Sequence, residues 1–391
     1  MESLYNPAIC DLCGSDDYSI LIQLTNDRAM RSDRDVVECS LCKLICTRCG
    51  LVRSGHFFAA RQLQHYYADE YVLSIQPEHY FFTPMGQISR SEILCDWIIS
   101  SMGMNHWRKA KRCLEIGAGS GALMQEFIKR FPDKIFEGLE LNKAAVSLAQ
   151  SRDLRVYQGA LSDLDTGQYD IIYTVAVIEH VPSPTKFLYE IHKRLRRGGS
   201  FFLCQPTQDV ASYDVFFVDH LHHFGTEHLR QYARKSGFHE QGLVVGHQWM
   251  PNFSLHLWEA VEKADNFAWI GSPGYTTCVS TARDIAADMT RLNATLARLK
   301  MEQRRVAVFG LNEVYWLAVA YSTLSQFPII CGLDDTPDKS EYKRLGFPVL
   351  TPEDGLLFRI QDVILTMNKI YYKQARERVE KLGFTVHQVL S

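Results

Sequence analysis

The stretch Cys113-Leu114-Glu115-Ile116-Gly117-Ala118-Gly119-Ser120-Gly121-Ala122-Leu123 constrains this chain more than any other. Its first residues read as a short buried strand carrying one acid. The glycines that follow dictate a tight turn into a helix starting near Leu123. Glycine lets the backbone come within contact of a ligand, and the helix N-terminus behind it offers amides with no partner inside the helix. Such a turn belongs to an α/β fold that cradles a nucleotide-type cofactor at the end of a strand.

Two templates fit the turn. Gly117, Gly119 and Ala122 satisfy G-x-G-x-x-G/A of dinucleotide-binding folds, with Glu140 as the acid about 20 residues on. Gly117, Gly119 and Gly121 equally resemble the E/D-x-G-x-G-x-G loop of class I S-adenosylmethionine (SAM) methyltransferases, in which Glu115 is part of the motif. The sequence downstream decides between them. Glu140 closes the strand Ile135-Phe136-Glu137-Gly138-Leu139-Glu140. After it come Tyr157-Gln158-Gly159-Ala160-Leu161-Ser162-Asp163, the run from Gln168 through Ile178-Glu179-His180-Val181, a helix ending in Leu195-Arg196-Arg197-Gly198-Gly199, and the strand Phe201-Phe202-Leu203-Cys204. That order resembles class I methyltransferases and not dinucleotide dehydrogenases.

At 391 residues the chain can build two or three domains with their own cores. A net charge of −3 gives no electrostatic case for nucleic acid or an anionic membrane. The start Met1-Glu2-Ser3-Leu4-Tyr5-Asn6 lacks the basic and apolar segments of a signal peptide, and no apolar run approaches the ~18 residues of a membrane span. A soluble, cytoplasmic protein is expected.

Of the 11 cysteines, six fall in the first 50 residues: Cys10, Cys13, Cys39, Cys42, Cys46 and Cys49. In a reducing compartment, clustered C-x-x-C pairs indicate metal rather than disulfides. Two such pairs close one tetrahedral Zn(II) site. Cys10 and Cys13 form one knuckle. Cys46 and Cys49 are the better second, because Gly50 follows Cys49 as Gly14 follows Cys13. Cys39 and Cys42 are then spare, or a substitute pair. Four thiolates leave no open position, so the zinc is expected to be structural. Residues 1–50 hold five Lys/Arg against eight Asp/Glu, which argues against an RNA-binding ribbon.

Beyond the module, His65-Tyr66-Tyr67-Ala68-Asp69-Glu70-Tyr71 and Phe81-Phe82-Thr83-Pro84 lead to the core, as cleft wall or sheet-edge cover. Residues 112 to about 262 alternate strand and helix as a doubly wound parallel sheet does. Thr226 reads as the N-cap of a helix with Leu229 and Tyr232 inward. Ala282, Ile285, Ala286, Met289, Leu292, Leu296 and Leu299 mark one face of a long bridging helix. From Val306-Ala307-Val308-Phe309 a second α/β unit begins. Its Gly310-Leu311-Asn312-Glu313 turn places Asn312 where a phosphate loop wants glycine, so it is expected to shape a cleft or interface rather than bind a second cofactor.

Taken together, the chain resembles the SAM-dependent C-methyltransferases that act on nucleotide-linked deoxysugars. The resemblance rests on Cys10-x-x-Cys13-Gly14, Cys46-x-x-Cys49-Gly50-Leu51-Val52, the Glu115–Gly121 loop, Asp219-His220, and Gly332-Leu333-Asp334-Asp335-Thr336-Pro337-Asp338-Lys339. It implies a zinc-binding module over residues 1–65, a methyltransferase domain over 66–265, and a bridging helix with a Rossmann-like domain over 266–391. The chain departs from the family at Asp219, where Glu is usual, at Phe217 in place of Tyr, at Ala176 in place of Asn, and around Tyr71 and Ser74.

The resemblance also implies a site. Glu115 would orient the loop and the donor's methionine amino group, with Gly117, Ala118, Gly119 and Gly121 lining the approach of the cofactor. Glu140 would accept both ribose hydroxyls, with Leu141 beside it. Ala160 and Leu161 would flank adenine, and Val175 and Ala176 the methionine end. Methylating carbon requires removal of a proton α to a carbonyl, and histidine suits that at neutral pH. His220 is the first candidate, with Asp219 or a neighbour fixing its tautomer; His180 is the second, and Tyr71 a third. His222 and His223 would contact a phosphate or face solvent. The expected partner is a small molecule, with no nucleic acid and no membrane. Oxygen or nitrogen methylation, an NAD-dependent enzyme and a catalytically silent SAM-binding subunit are the competing readings.

Overall fold

Seven strands meet around the glycine turn: β1 (Arg112–Ile116), β2 (Ile135–Glu140), β3 (Val156–Gln158), β4 (Tyr169–Val175), β5 (Leu195–Pro206), β6 (Phe238–His247) and β7 (Met250–Ala260). In this computed structural model they lie in the order β3-β2-β1-β4-β5-β7-β6, parallel except for β7, which runs against both neighbours. The residues described are 8–24, 27–56, 60–75, 78–83, 86–166, 169–262, 274–335, 342–343 and 345–391. Met1–Asn6, Pro84, Gln168 and Thr336–Lys339, all used in the reading above, lie outside them.

Alternation along β1 builds both faces of the sheet. Cys113 packs into one apolar cluster and Leu114 and Ile116 into the other. The first cluster centres on Trp107, fully buried and stacked on Phe127 (4.4 Å), Phe202 (5.2 Å) and Phe131 (5.5 Å). Truncating such a ring costs about 3–5 kcal/mol.

The cysteine module is part of the second cluster. Cys10, Leu12, Cys46, Cys49 and Leu51 pack with Ile116, Ile178, Phe224 and Leu229. Asp11 accepts from Ser183 Oγ (2.6 Å) and from Thr185 N (3.0 Å) and Oγ1 (2.8 Å), tying the first knuckle to the start of helix Pro184–Arg194. The module's strands Leu41–Cys46 and Val52–Ser54 are antiparallel, and the pair His222–His223 extends them through His222↔Arg53 and His223↔Val52. Both histidines are buried, which corrects the solvent-facing alternative of the two expected for them. Thr226 is likewise not a cap. Gly225 takes that position, and the Thr226 amide donates to Asp209 Oδ2 at 2.8 Å. Leu229 and Tyr232 do face inward.

Contacts divide the chain into two units whose segments interleave, where three consecutive domains were expected. One comprises Met1–Leu21, Cys42–Ser212 and Asp219–Cys278; the other Ile22–Leu41, Tyr213–Val218 and Val279–Ser391. The second holds a parallel sheet of β8 (Val306–Phe309), β9 (Cys331–Leu333), β10 (Val349–Leu350), β11 (Asp362–Leu365) and β12 (Thr385–Gln388), ordered β10-β9-β8-β11-β12. Asn312 caps helix Glu313–Tyr321 by accepting the Val314 amide, which explains why it, and not glycine, stands in that turn. Tyr321 at the helix end accepts from the Met30 amide (3.0 Å) and donates to Phe216 O (2.6 Å), so both early excursions are pinned there. Within the long helix Gly274–Met301 the predicted face is buried except at Ala286, which is exposed.

Candidate active site

The glycine turn is assembled from below and from the side. Gly117, Gly119 and Gly121 all adopt positive φ (73°, 52° and 79°). A Cβ on Gly117 would stand 2.5 Å from Val177 Cγ2, and one on Gly119 would stand 3.3 Å from Ser74 O, so the segment after Tyr71 lies against the turn. Ala118, beside them, is buried and donates its amide to Leu139 O at 3.0 Å. Glu140 receives the Gly119 amide on Oε2 and the Asn142 amide on Oε1, both at 2.8 Å. The Leu141 amide meets the same carboxylate, and its remaining lone pairs can face a ligand's hydroxyls. Burial raises the Glu140 carboxyl above its ordinary range, and the backbone amides oppose the shift.

Glu115 has a different part. Its carboxylate accepts from Tyr173 Oη at 3.2 Å and from the Met124 amide, and burial pushes it up to about 8. Those bonds brace the turn to the first turn of the helix behind it, which orients the loop as expected. The Glu115 carboxylate itself is buried, 4% exposed. Leu141 is half-buried, and its carbonyl accepts from Gln158 Nε2. Ala160 is exposed with its amide on Asp163, while Leu161 is buried in the second cluster.

At the end of β4, Val175 and Ala176 are half-buried, and Ala176 adopts φ +53°. An L-residue with a Cβ is strained there by about 1–2 kcal/mol, and asparagine or glycine would be less so. Ala176→Gly is accordingly expected to raise unfolding free energy by about 1 kcal/mol in urea titration, net of the added freedom of the unfolded chain. An unchanged or lower midpoint would refute the strain.

One turn further on, the structure gathers the catalytic candidates. His180 and His220 are both buried, with ring centroids 4.7 Å apart and planes at 89°. Tyr67 (5.3 Å) and Tyr71 (6.1 Å) face His180 edge-on, and Tyr66 packs on both tyrosines. Tyr67 Oη lies 2.7 Å from His180 Nδ1. Asp219 takes Tyr66 Oη on its carboxylate at 3.4 Å, while its carbonyl lies 3.2 Å from His180 Nδ1. Asp219 thus meets His180 through its backbone carbonyl and Tyr66 through its carboxylate. Lys43, fully buried, donates to His220 O at 2.7 Å, and the Ser54 amide donates to Leu221 O at 2.8 Å. The cysteine module therefore holds the His220 loop. Glu179, His180 and His220 also offer ligand atoms within 4.8 Å of one another.

Burial lowers the His180 and His222 imidazoles to about 4, with a neighbouring histidine adding to the shift at His180. Unfolded histidine titrates near 6.5, so between pH 6.5 and 4 the unfolded chain binds more protons than the folded one. Stability is full above pH 6.5 and falls as pH drops through that window. The two rings together are expected to cost about 3 kcal/mol at pH 5.5. Urea midpoints at pH 7.5 and 5.5 measure it, and equal midpoints would exclude neutral buried rings.

In the module, Cys10, Cys13, Cys46 and Cys49 offer sulfurs within 4.8 Å of one another, with Cys10–Cys49 and Cys13–Cys46 at 3.5 Å. A tetrahedron with Zn–S of about 2.3 Å has edges of about 3.7 Å, so the cluster fits such an ion. Gly14 (φ 71°) and Gly50 (φ 73°) close the two knuckles with amide bonds to Cys10 O and Cys46 O. Cys39 and Cys42 stand outside the cluster.

Four participants escaped the sequence reading: Tyr67, Lys43, Glu179 and Asn142. Only Asn142 carried a usable signal, an N-cap residue two positions after Glu140; it accepts the Ala145 amide and donates to Tyr71 O.

Residues 89–241 match the family model described as a methyltransferase domain. A ubiquinone biosynthesis O-methyltransferase of Pseudomonas aeruginosa is 22% identical over 169 residues, 40% of this chain and 69% of that enzyme. Among solved structures, mitomycin 7-O-methyltransferase is 13% identical with a TM-score of 0.38, covering 44% of this chain and 54% of its own. An amino pentose methyltransferase from Micromonospora echinaspora is 18% identical with a TM-score of 0.34, covering 44% and 90%. The chain carries a class I SAM-dependent methyltransferase domain, and its enzyme class is SAM-dependent methyltransferase. Among the described residues no helix is long and apolar enough to cross a membrane.

Proposed function

We propose that this methyltransferase acts on carbon, α to a carbonyl, in a small biosynthetic intermediate such as a nucleotide-linked keto-sugar. The observation that carries the reading is the pair His180–His220, buried under Tyr66, Tyr67 and Tyr71, with His180 one turn beyond the end of β4. SAM, when bound, supplies an activated methyl group. The chain's residues would do the rest. The loop from Gly117 to Gly121 and Glu140 would hold the donor, and His220 would take the α-proton. The tyrosines would keep water from the carbon so exposed. The module's four cysteines would hold a structural Zn(II). Thiols kept for metal suit a reducing compartment, and we place the protein in the cytoplasm.

The test is hydrogen exchange. With S-adenosylhomocysteine bound and a nucleotide-linked keto-sugar in deuterated water, the enzyme is expected to wash out the α-proton. His220→Ala should slow this by 10²–10⁴-fold. Tight binding of S-adenosylhomocysteine without exchange would overturn the reading. One observation favours a second reading, oxygen methylation: a divalent cation held by Glu179, His180 and His220 could position an acceptor's oxygens. Methylation of a hydroxyl that depends on added metal, with no carbon exchange, would select it.

A further inference from the structure

Tyr67 is unassigned by sequence or family, yet its contact with His180 is among the shortest in the site, equal to that of Lys43 with His220 O at 2.7 Å. It leaves the helix Ala60–His65 in the turn Tyr66–Glu70 and places its hydroxyl 2.7 Å from His180 Nδ1. The same nitrogen lies 3.2 Å from Asp219 O, and the hydroxyl lies 3.4 Å from that oxygen. A carbonyl can only accept, so the distances favour one placement of the protons. If Nδ1 carried hydrogen, it would donate either to the carbonyl 3.2 Å away, at the long end of the normal range, or to the phenol oxygen at 2.7 Å, at the short end for N–H···O. The phenol would then turn toward an oxygen 3.4 Å away, beyond that range. If the phenol donates, its proton lies on the 2.7 Å contact, the ordinary length for such a bond.

We propose that Tyr67 is a positioning residue: by donating to Nδ1 it locks His180 as the Nε2–H tautomer, which gives a hydrogen bond to the acceptor's carbonyl oxygen while His220 takes the α-proton. Two imidazoles 4.7 Å apart would then divide the work as donor and base. The balance is simple. The α-C–H bond breaks, its proton goes to His220, and its electron pair moves onto the carbonyl oxygen under the His180 N–H. The enolate carbon then forms a bond to the SAM methyl, and the electrons of the broken C–S bond stay on sulfur. His220 returns its proton to solvent.

The catalytic consequence rests on the carbon-methylation reading; the tautomer does not. The experiment uses the full chain labelled with 15N-histidine and saturated with S-adenosylhomocysteine. Long-range 1H–15N spectra of wild type, Tyr67→Phe and, for assignment, His180→Gln are compared. The expected result is an Nε2–H ring at His180 in wild type that becomes Nδ1–H in Tyr67→Phe, with the other histidine signals and S-adenosylhomocysteine affinity unchanged. Exchange of the keto-sugar α-proton should fall about 10²-fold in kcat with KM within about twofold. An Nδ1–H ring in the wild type overturns the proposal without any variant. A tautomer or kcat indifferent to Tyr67→Phe overturns it as well. If the tautomer switches but neither protein exchanges any proton, the positioning role stands and the carbon-methylation reading falls.

Discussion

Cys46→Ser is expected to lose the metal, to unfold the segments Cys10–Leu21 and Cys42–Ser54, and to lower α-proton exchange at least hundredfold. The sulfurs are close enough to share one ion, and the knuckles they close carry Leu12 and Leu51 into the core. Apparent affinities of structural zinc, about 10–16 kcal/mol, match or exceed the ~5–15 kcal/mol that holds a whole domain together. The module thus has little stability of its own without the ion. The loss should reach the site, because Lys43 and Ser54 hold the backbone at His220 and Leu221. Metal analysis should find one zinc per wild-type chain and none in the variant. Hydrogen-exchange protection over Leu41–Ser54 should collapse. A variant that keeps that protection and its turnover would remove the metal from the account.

Glu140→Ala is expected to weaken S-adenosylhomocysteine binding by 10²–10³-fold in calorimetry. Hydrogen bonds to a charged group contribute about 1.5–3 kcal/mol each, and the proposed pair to the ribose would both be lost. The Gly119 and Asn142 amides would also lose their acceptor, loosening the turn itself. Glu140→Gln keeps one carbonyl oxygen for an amide and should lose about tenfold. Affinity unchanged in the alanine variant would mean that the ribose lies elsewhere.

Much of the first unit was legible because its signals are local. Glu115 to Gly121 announces a turn whose φ values only glycine adopts freely, and Gly14 and Gly50 mark the knuckles by the same physics. The choice of Cys46 and Cys49 over Cys39 and Cys42 followed from that glycine, and the structure gathers the same four sulfurs. What stayed hidden depends on contacts distant in sequence. Nothing near Lys43 says that its ammonium will be buried against the carbonyl of His220, 177 residues away. Nothing near Tyr67 names His180 as its partner, 113 residues on. Thr226 shows the limit of a local rule: a good capping residue stands one position inside the helix, where its own amide is donated to Asp209.

The interleaving of the two units bears on how such a chain can be divided. Residues 22–41 and 213–218 find their companions beyond residue 279, at Tyr321 among others. A fragment stopping at Cys278 would leave those excursions unanchored, and the second of them ends one residue before Asp219-His220. The C-terminal segment from Val279 is therefore not a cassette that recombination could trade between relatives by itself. A working exchange would have to carry three stretches of the gene at once.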